Sequence, residues 1–440
     1  MNSLGTPSEE APQATTPPAP ADPELSVEFL RALPKTDLHV HLDGSLRLGT
    51  LIELAREYHV ELPSETESGL RELVFKDRYR DLSEYLSGFK YMTAVLQSES
   101  ALERAAYELA QDNQAEGVRY IEVRFAPQLH VHRYLNPISV MKAVARGLSR
   151  AKDEFNRRPE VASGAEPPFE YGIIVCAMRA FRSGFSDYYT QLLHAHQFAP
   201  SREIFGLASL ELARAAVKAR DEYGIPIVGF DLAGEEKGYP PEDHREAYEY
   251  AHRNFLMKTV HAGEAYGPES IFQAITELHA DRIGHGYFLF EPDMIRSPNI
   301  VDRERYIRSL SQYIADRRIT IEVCLTSNMQ TIPEVKDLSQ HTFNKMREAR
   351  LSTTICTDNR TISWTSVTNE LDLAVRYCKV DRRTLKSIII YGFKRSFFPD
   401  SYLRKRRYVR QVIDYYETIE RKFLGEPTAS PATQSVRRDP

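Results

Sequence analysis

The sequence predicts an α/β protein, a TIM-like (β/α)8 barrel with a helical insert after the first strand and helix. Two observations predict it: strand-like apolar runs alternate with amphipathic helical stretches, and there are eight such runs. A third separates the barrel from an open doubly wound sheet. No Gly-x-Gly-x-x-Gly turn or phosphate-cradling loop follows any of the runs.

In chain order, residues 1–24 are rich in Pro, Ala, Thr and Glu and carry no aromatic residue. Such a segment buries too little to fold, so a disordered tail is expected there. Residues 25–424 are expected to form one domain, and 425–440 a second disordered tail. The strand-like runs are 36–42, 118–125, 171–178, 227–232, 258–261, 280–284, 319–325 and 351–356. Between them, stretches such as 101–116, 203–223 and 244–255 carry apolar residues at helical spacing. Residues 77–97 are expected to be a helical insert near the barrel mouth, and the Pro/Gly-rich 156–168 a surface loop.

The composition excludes several functions. With 440 residues, 42% of them hydrophobic, a large core is available, while a net charge of -5 argues against nucleic acid as a bulk electrostatic partner. The basic run Arg404-Lys405-Arg406-Arg407 reads as the solvated face of a C-terminal helix. Four scattered cysteines make no disulfide framework, and no run reaches the apolar length of a membrane span. There is no secretory signal pattern, so a cytoplasmic protein without a membrane partner is expected.

The chemistry gathers at the ends of the strand-like runs, where the catalytic groups of a barrel stand. The first run ends in His39-Val40-His41, and side chains at i and i+2 of a strand share a face. The fourth ends in Asp231-Leu232-Ala233-Gly234-Glu235-Glu236, the fifth in His261-Ala262-Gly263-Glu264, the sixth in Gly284-His285-Gly286 and the eighth in Thr357-Asp358-Asn359. Three neutral imidazoles and a carboxylate complete a zinc site that keeps one position open for water, and His39, His41, His261 and Asp358 supply them. Cobalt or iron suits the same donors. Zinc brings the pKa of a bound water to about 7. His285 is the candidate base for that water's proton. Glu264, on the same turn as a ligand, is the candidate acid, its pKa raised by burial. Two other His-x-His pairs compete. His194/His196 lies in a helical stretch where i and i+2 diverge, and His130/His132 follows the second run as ordinary loop histidines.

The segments Pro34-Lys35-Thr36-Asp37-Leu38-His39-Val40-His41-Leu42-Asp43-Gly44-Ser45, Asp231-Leu232-Ala233-Gly234, His261-Ala262-Gly263-Glu264, Arg282-Ile283-Gly284-His285-Gly286-Tyr287, Glu322-Val323-Cys324 with Ser327-Asn328, and Thr357-Asp358-Asn359 stand in one order along the chain. Together they resemble an adenosine deaminase of the amidohydrolase type. The resemblance implies one zinc per chain and a purine nucleoside as small-molecule partner. It implies hydrolysis of adenosine, and of 2′-deoxyadenosine, to inosine and ammonia, with zinc hydroxide attacking C6 while Glu264 protonates N1. It further implies that Asp43 holds a ribose hydroxyl, that Gly234 offers its backbone N–H to the N3 side of the base, and that Leu82, Tyr85, Leu86 and Phe89 of the insert form an apolar wall. Asn359 stands where the family pattern has a second Asp, and its NH2 can donate to purine N7. Arg360 follows where a Pro is usual, and is expected to pair with a neighbouring acid rather than to favour an anionic substrate. The alternatives are deamination of adenine or of another 6-aminopurine nucleoside, and a non-catalytic nucleoside-binding relative. A cytidine-deaminase-type zinc site is excluded, since Pro-Cys-x-x-Cys is absent.

Overall fold

The computed structural model describes residues 24–332 and 335–425. Both expected tails, apart from their boundary residues 24 and 425, lie outside the described residues.

The eight strands are β1 (Lys35–His41), β2 (Val118–Phe125), β3 (Glu170–Met178), β4 (Ile227–Ala233), β5 (Met257–Ala262), β6 (Arg282–His285), β7 (Thr320–Val323) and β8 (Ser352–Ile355). They pair in sequence order and always in parallel, with helices covering the outside, as expected of a (β/α)8 barrel. Closure comes just beyond the end of β8. There the His41 N–H donates to the Asp358 carbonyl at 2.7 Å, and the Asp358 N–H donates to the His39 carbonyl at 2.8 Å.

Outward-facing residues of the strands, such as Ile121, Val123 and Phe125 of β2, join one continuous apolar core with the surrounding helices. Side-chain caps start many of these helices, among them Ser98, Asn136, Ser186 and Ser366. Lys35, fully buried at the foot of β1, caps the other end of a helix. Its ammonium donates to the carbonyls of Leu30, Arg31 and Leu33, which finish the helix Val27–Ala32.

Beyond shifts of one residue, two strand boundaries and one loop differ from expectation. The seventh run stops at Val323, and its last apolar residue opens the helix Leu325–Thr331. Buried helix and buried strand look alike over a short apolar stretch, so the pattern could not mark the change. The sixth strand starts two residues late, because Asp281 is spent on Lys258, accepting from its N–H and its ammonium. Within 156–168, the chain makes a helical turn at Pro159–Ala162, with proline at its first position. The insert 77–97 is helical, with helices at Leu82–Leu86 and Phe89–Val95. The basic run lies on the helix Tyr402–Leu424 with Arg404, Arg406 and Arg407 exposed. Among the described residues no helix is long and apolar enough to cross a membrane.

Gly117, which leads into β2, has φ +93°, and a Cβ there would lie 2.5 Å from the Arg31 carbonyl oxygen. Gly117→Ala should therefore cost about 1 kcal/mol or more, read as a lowered unfolding midpoint.

Candidate metal centre and active site

The inside of the barrel is polar. On β2, Glu122 and Arg124 point inward at alternate positions and are fully buried. The Arg124 guanidinium donates to Asp231 at 3.0 Å, to Glu322 at 2.8 Å and to the Leu38 carbonyl at 2.7 Å. Glu322 also accepts from Arg282 at 2.6 Å and Thr259 at 3.1 Å, and Arg282 pairs with Glu122.

Two of these carboxylates, Glu322 and Asp231, each hold a histidine from behind. Glu322 accepts from His39 Nδ1 at 2.8 Å, and Asp231 lies 3.1 Å from His261 Nδ1. With the proton fixed at Nδ1, each ring turns a bare Nε2 towards the barrel axis. His39 Nε2 is buried and has no hydrogen-bond partner. It lies 3.4 Å from Asp358 Oδ1, as does His41 Nε2, and His41 Nε2 lies 3.2 Å from His261 Nε2. Burial keeps His41 far below the usual imidazole pKa, hence neutral. Burial opposes ionisation of Asp358, but the imidazoles of His39 and His285 hold its carboxyl well below the usual range. Ser327 donates to its other oxygen at 2.6 Å.

Ligands at zinc's bond lengths of 2.0–2.1 Å stand roughly 3.3 Å apart in a tetrahedron. The ligand atoms of His39, His41, His261 and Asp358 all lie within 4.8 Å of one another, with the three pairs above near the tetrahedral spacing. Bare lone pairs brought this close are unfavourable unless a cation lies between them. The donor set therefore fits the metal expected from the sequence.

Two further groups face this cluster. Glu264 is 7% exposed, and burial, reinforced by the Asp358 carboxylate, pushes its pKa up to about 8. His285 Nε2 lies 3.7 Å from Glu264 Oε1. The turn carrying Glu264 is gripped by Glu236, whose carboxylate accepts from the N–H groups of Gly263, Glu264, Ala265 and Tyr266 and from the Ser270 hydroxyl. Asp43 is also buried, its pKa raised to about 7 by burial, and its Oδ1, 4.0 Å from His41 Nδ1, has no hydrogen-bond partner. Gly234 has φ +98° at the end of β4, a conformation that suits glycine.

The insert lies over this mouth. Phe89 meets His41 edge-on at 6.4 Å between ring centroids, while Leu82 and Leu86 pack half-buried on the core. Tyr85 corrects the expectation of a purely apolar wall. It is 1% exposed, accepts from Asn359 Nδ2 at 2.8 Å and bonds Ser363 Oγ at 2.7 Å. One of the Asn359 N–H groups is thereby taken. Asn359 Oδ1 sits where a Cβ on Gly44 would fall, which requires glycine there. Arg360 pairs with the buried Glu116, as expected. His130 and His132 serve the insert instead of the metal cluster: their rings bond the carbonyls of Leu96 at 2.9 Å and Gln97 at 3.0 Å. Gln97 in turn donates to the Leu129 carbonyl at 3.3 Å.

Sequence reasoning missed Arg124, Glu236 and the orienting roles of Asp231 and Glu322. The signal for Arg124 was legible: Arg119, Glu122 and Arg124 interrupt an otherwise apolar strand, where charge survives only if paired.

A barrel with three histidines and an aspartate that could hold a metal at its rim, beside a glutamate whose pKa is raised by burial, has the constitution of a hydrolase of the amidohydrolase type. The adenosine deaminase profile matches residues 34–415. An adenosine deaminase of Mycobacteroides abscessus is 36% identical over 379 residues, covering 86% of this chain and 93% of that protein. Adenosine deaminase 1 of Streptomyces coelicolor is 33% identical over 426 residues, 95% of this chain and 96% of that one. The chain belongs to the adenosine deaminase family, and is a deaminase enzyme. Solved structures with the same fold include two deaminases and an amidohydrolase. An adenine deaminase from Arthrobacter aurescens has TM-score 0.69 and 22% identity, covering 88% of this chain and 99% of its own. A zinc-bound amidohydrolase from Burkholderia ambifaria has TM-score 0.72 and 19% identity, covering 94% and 100%. An N6-methyl-AMP deaminase from Arabidopsis thaliana has TM-score 0.66 and 24% identity, covering 88% and 98%.

Arg124→Met would leave Asp231 and Glu322 without their shared cation. A loss of about 3–5 kcal/mol in unfolding free energy is expected, with metal affinity reduced about 10–100-fold as the histidines lose their orientation. Denaturant melts and metal titration of the variant check both.

Proposed function

We propose that the chain catalyses the zinc-dependent hydrolytic deamination of adenosine and 2′-deoxyadenosine to inosine or deoxyinosine and ammonia. The observation that carries this reading is the buried His39, His41, His261 and Asp358 cluster beside a glutamate that burial keeps protonated. His39, His41, His261 and Asp358 would hold one zinc ion per chain. Bound there, zinc supplies Lewis acidity that makes water a nucleophile near neutral pH.

The remaining work falls to the protein's own side chains. Glu264 donates its proton to N1 of the purine, which draws electrons from C6 and opens it to addition of water. His285 hydrogen-bonds that water and stabilises the charge that develops on it. Asp43 offers its unpartnered Oδ1 to a ribose hydroxyl, Gly234 its backbone N–H to N3, and Asn359 its remaining N–H to N7. Phe89, with Leu82 and Leu86, keeps water from the base, and Tyr85 holds Asn359 in place.

The relatives named adenosine deaminase support the nucleoside over free adenine, and so does Asp43, for which adenine has no hydroxyl. The adenine deaminase and the N6-methyl-AMP deaminase share the fold at identities too low to carry a substrate across. A small-molecule partner, rather than nucleic acid or a membrane, accords with the net charge of -5. All four cysteines are free and buried, which supports a cytoplasmic protein.

Adenosine, 2′-deoxyadenosine, adenine and N6-methyl-AMP, compared by loss of the adenine absorbance band with metal content measured on the same sample, test the reading. The two nucleosides should be turned over with the highest kcat/KM, and a preference for adenine would overturn the nucleoside assignment. Glu264→Gln should keep its metal and lose about 10²–10⁴ in kcat. Because burial raises the Glu264 pKa, the acid stays protonated up to about pH 8. The kcat/KM of the wild type should therefore fall as pH rises through that value, and the Gln variant should lack this limb.

A further inference from the structure

Behind His285 runs a chain of hydrogen bonds whose direction is set by a backbone amide. The Phe343 N–H, at the start of the helix Phe343–Glu348, donates to His341 Nδ1 at 3.0 Å. A backbone N–H can only donate, so His341 Nδ1 accepts and its proton must sit on Nε2. That N–H faces Asn328 Oδ1 at 3.2 Å, which fixes which end of the Asn328 amide is oxygen. The NH2 end then faces His285 Nδ1 at 3.3 Å.

His341 and Asn328 are buried, at 1% and 0% exposure, so water does not compete for these partners. Burial also pushes the His341 pKa down to about 3, which keeps that ring neutral and the polarity single-valued. An edge-on contact with Tyr287, 5.1 Å between centroids, confines the His341 ring.

We propose that Asn328 and His341 are positioning residues that fix the tautomer of His285, so that Nδ1 is bare and Nε2–H is turned into the active site. This inference rests on the assignment of His285 to the reacting water. It also revises the role read from the sequence. A neutral His285 in this tautomer has no lone pair on the site side, so it meets the reacting oxygen as a hydrogen-bond donor and not as the base that first takes its proton. The arrangement is opposite to that of His39 and His261, whose carboxylate partners place the proton at Nδ1 and leave Nε2 bare for a metal. Three histidines at one rim are thus divided between ligand and donor by what stands behind each ring: a carboxylate accepts from Nδ1, an amide NH2 donates to it.

The zinc-loaded full-length enzyme, labelled with 15N histidine, tests this by long-range 1H–15N correlation at neutral pH, with the His285 signals assigned by their loss in His285→Asn. His285 should show an unprotonated Nδ1 and a protonated Nε2. Asn328→Asp replaces the donor with an acceptor and should move the proton to Nδ1. It should lower kcat on the order of 10²–10⁴-fold, with KM and metal content near wild type. His341→Gln, which still donates to Asn328, should retain most activity, and His341→Leu should not. A wild-type His285 protonated at Nδ1 would overturn the proposal. So would an Asn328→Asp variant with unchanged tautomer and kcat. The spectrum reads the tautomer whether or not adenosine is a substrate, so failure of the substrate assignment leaves this result separately legible.

Discussion

Arg124 stands in the middle of the barrel, shut off from water, and the site is arranged around its charge. Orienting His39 and His261 takes two buried carboxylates, Glu322 and Asp231, and an isolated carboxylate in such a place would take up a proton. A protonated acid could donate to the imidazole and would no longer secure the proton at Nδ1. Arg124 bridges both acids, and Arg282 adds a second cation to Glu322. Burial opposes ionisation of both groups, yet these cations and the histidines hold their pKa values well below the usual range. The orientation of His39 and His261 therefore has its origin on β2, a strand that contributes no residue to the candidate metal cluster.

The rim is built under local strain. His285 and Asp358 adopt φ of +63° and +60°, values that cost a non-glycine residue on the order of 1–3 kcal/mol. Asp358 is held there by the hydrogen bonds that close the barrel, since its N–H and carbonyl both engage β1. The same two bonds that join the first strand to the last also set the distance between the carboxylate and the two imidazoles of β1. Fold closure and the geometry of the candidate metal cluster are a single constraint.

Much of this was legible in the sequence, for reasons that are local. Eight apolar runs of strand length mark eight strands, and the i, i+2 relation of His39 and His41 needs only β geometry. The four clustered donors, Glu264 and His285 all stand at run ends, where a barrel collects its chemistry. What the sequence conceals is what stands behind those groups. Glu236 follows β4 but grips the turn after β5, and His341 reaches Asn328 from a separate loop; no spacing along the chain announces either. Tyr85 fits a helical apolar stripe perfectly well, and only its tertiary partners Asn359 and Ser363 give its hydroxyl a purpose. The switch from β7 to a helix at Leu325 was hidden for a different reason, since both forms bury the same residues.

The anchoring of the insert by His130 and His132 bears on how such an enzyme can change. The segment that covers the mouth is fastened at its end by imidazole-to-carbonyl bonds, which are indifferent to the side chains of Leu96 and Gln97. Burial holds the His130 pKa near 4, so the His130 bond keeps its charge state across the physiological range. The face presented to a ligand can then be rewritten residue by residue while the clasp and the barrel stay as they are. The fastening of the cover and the polar cluster beneath it thus rest on different residues of the chain.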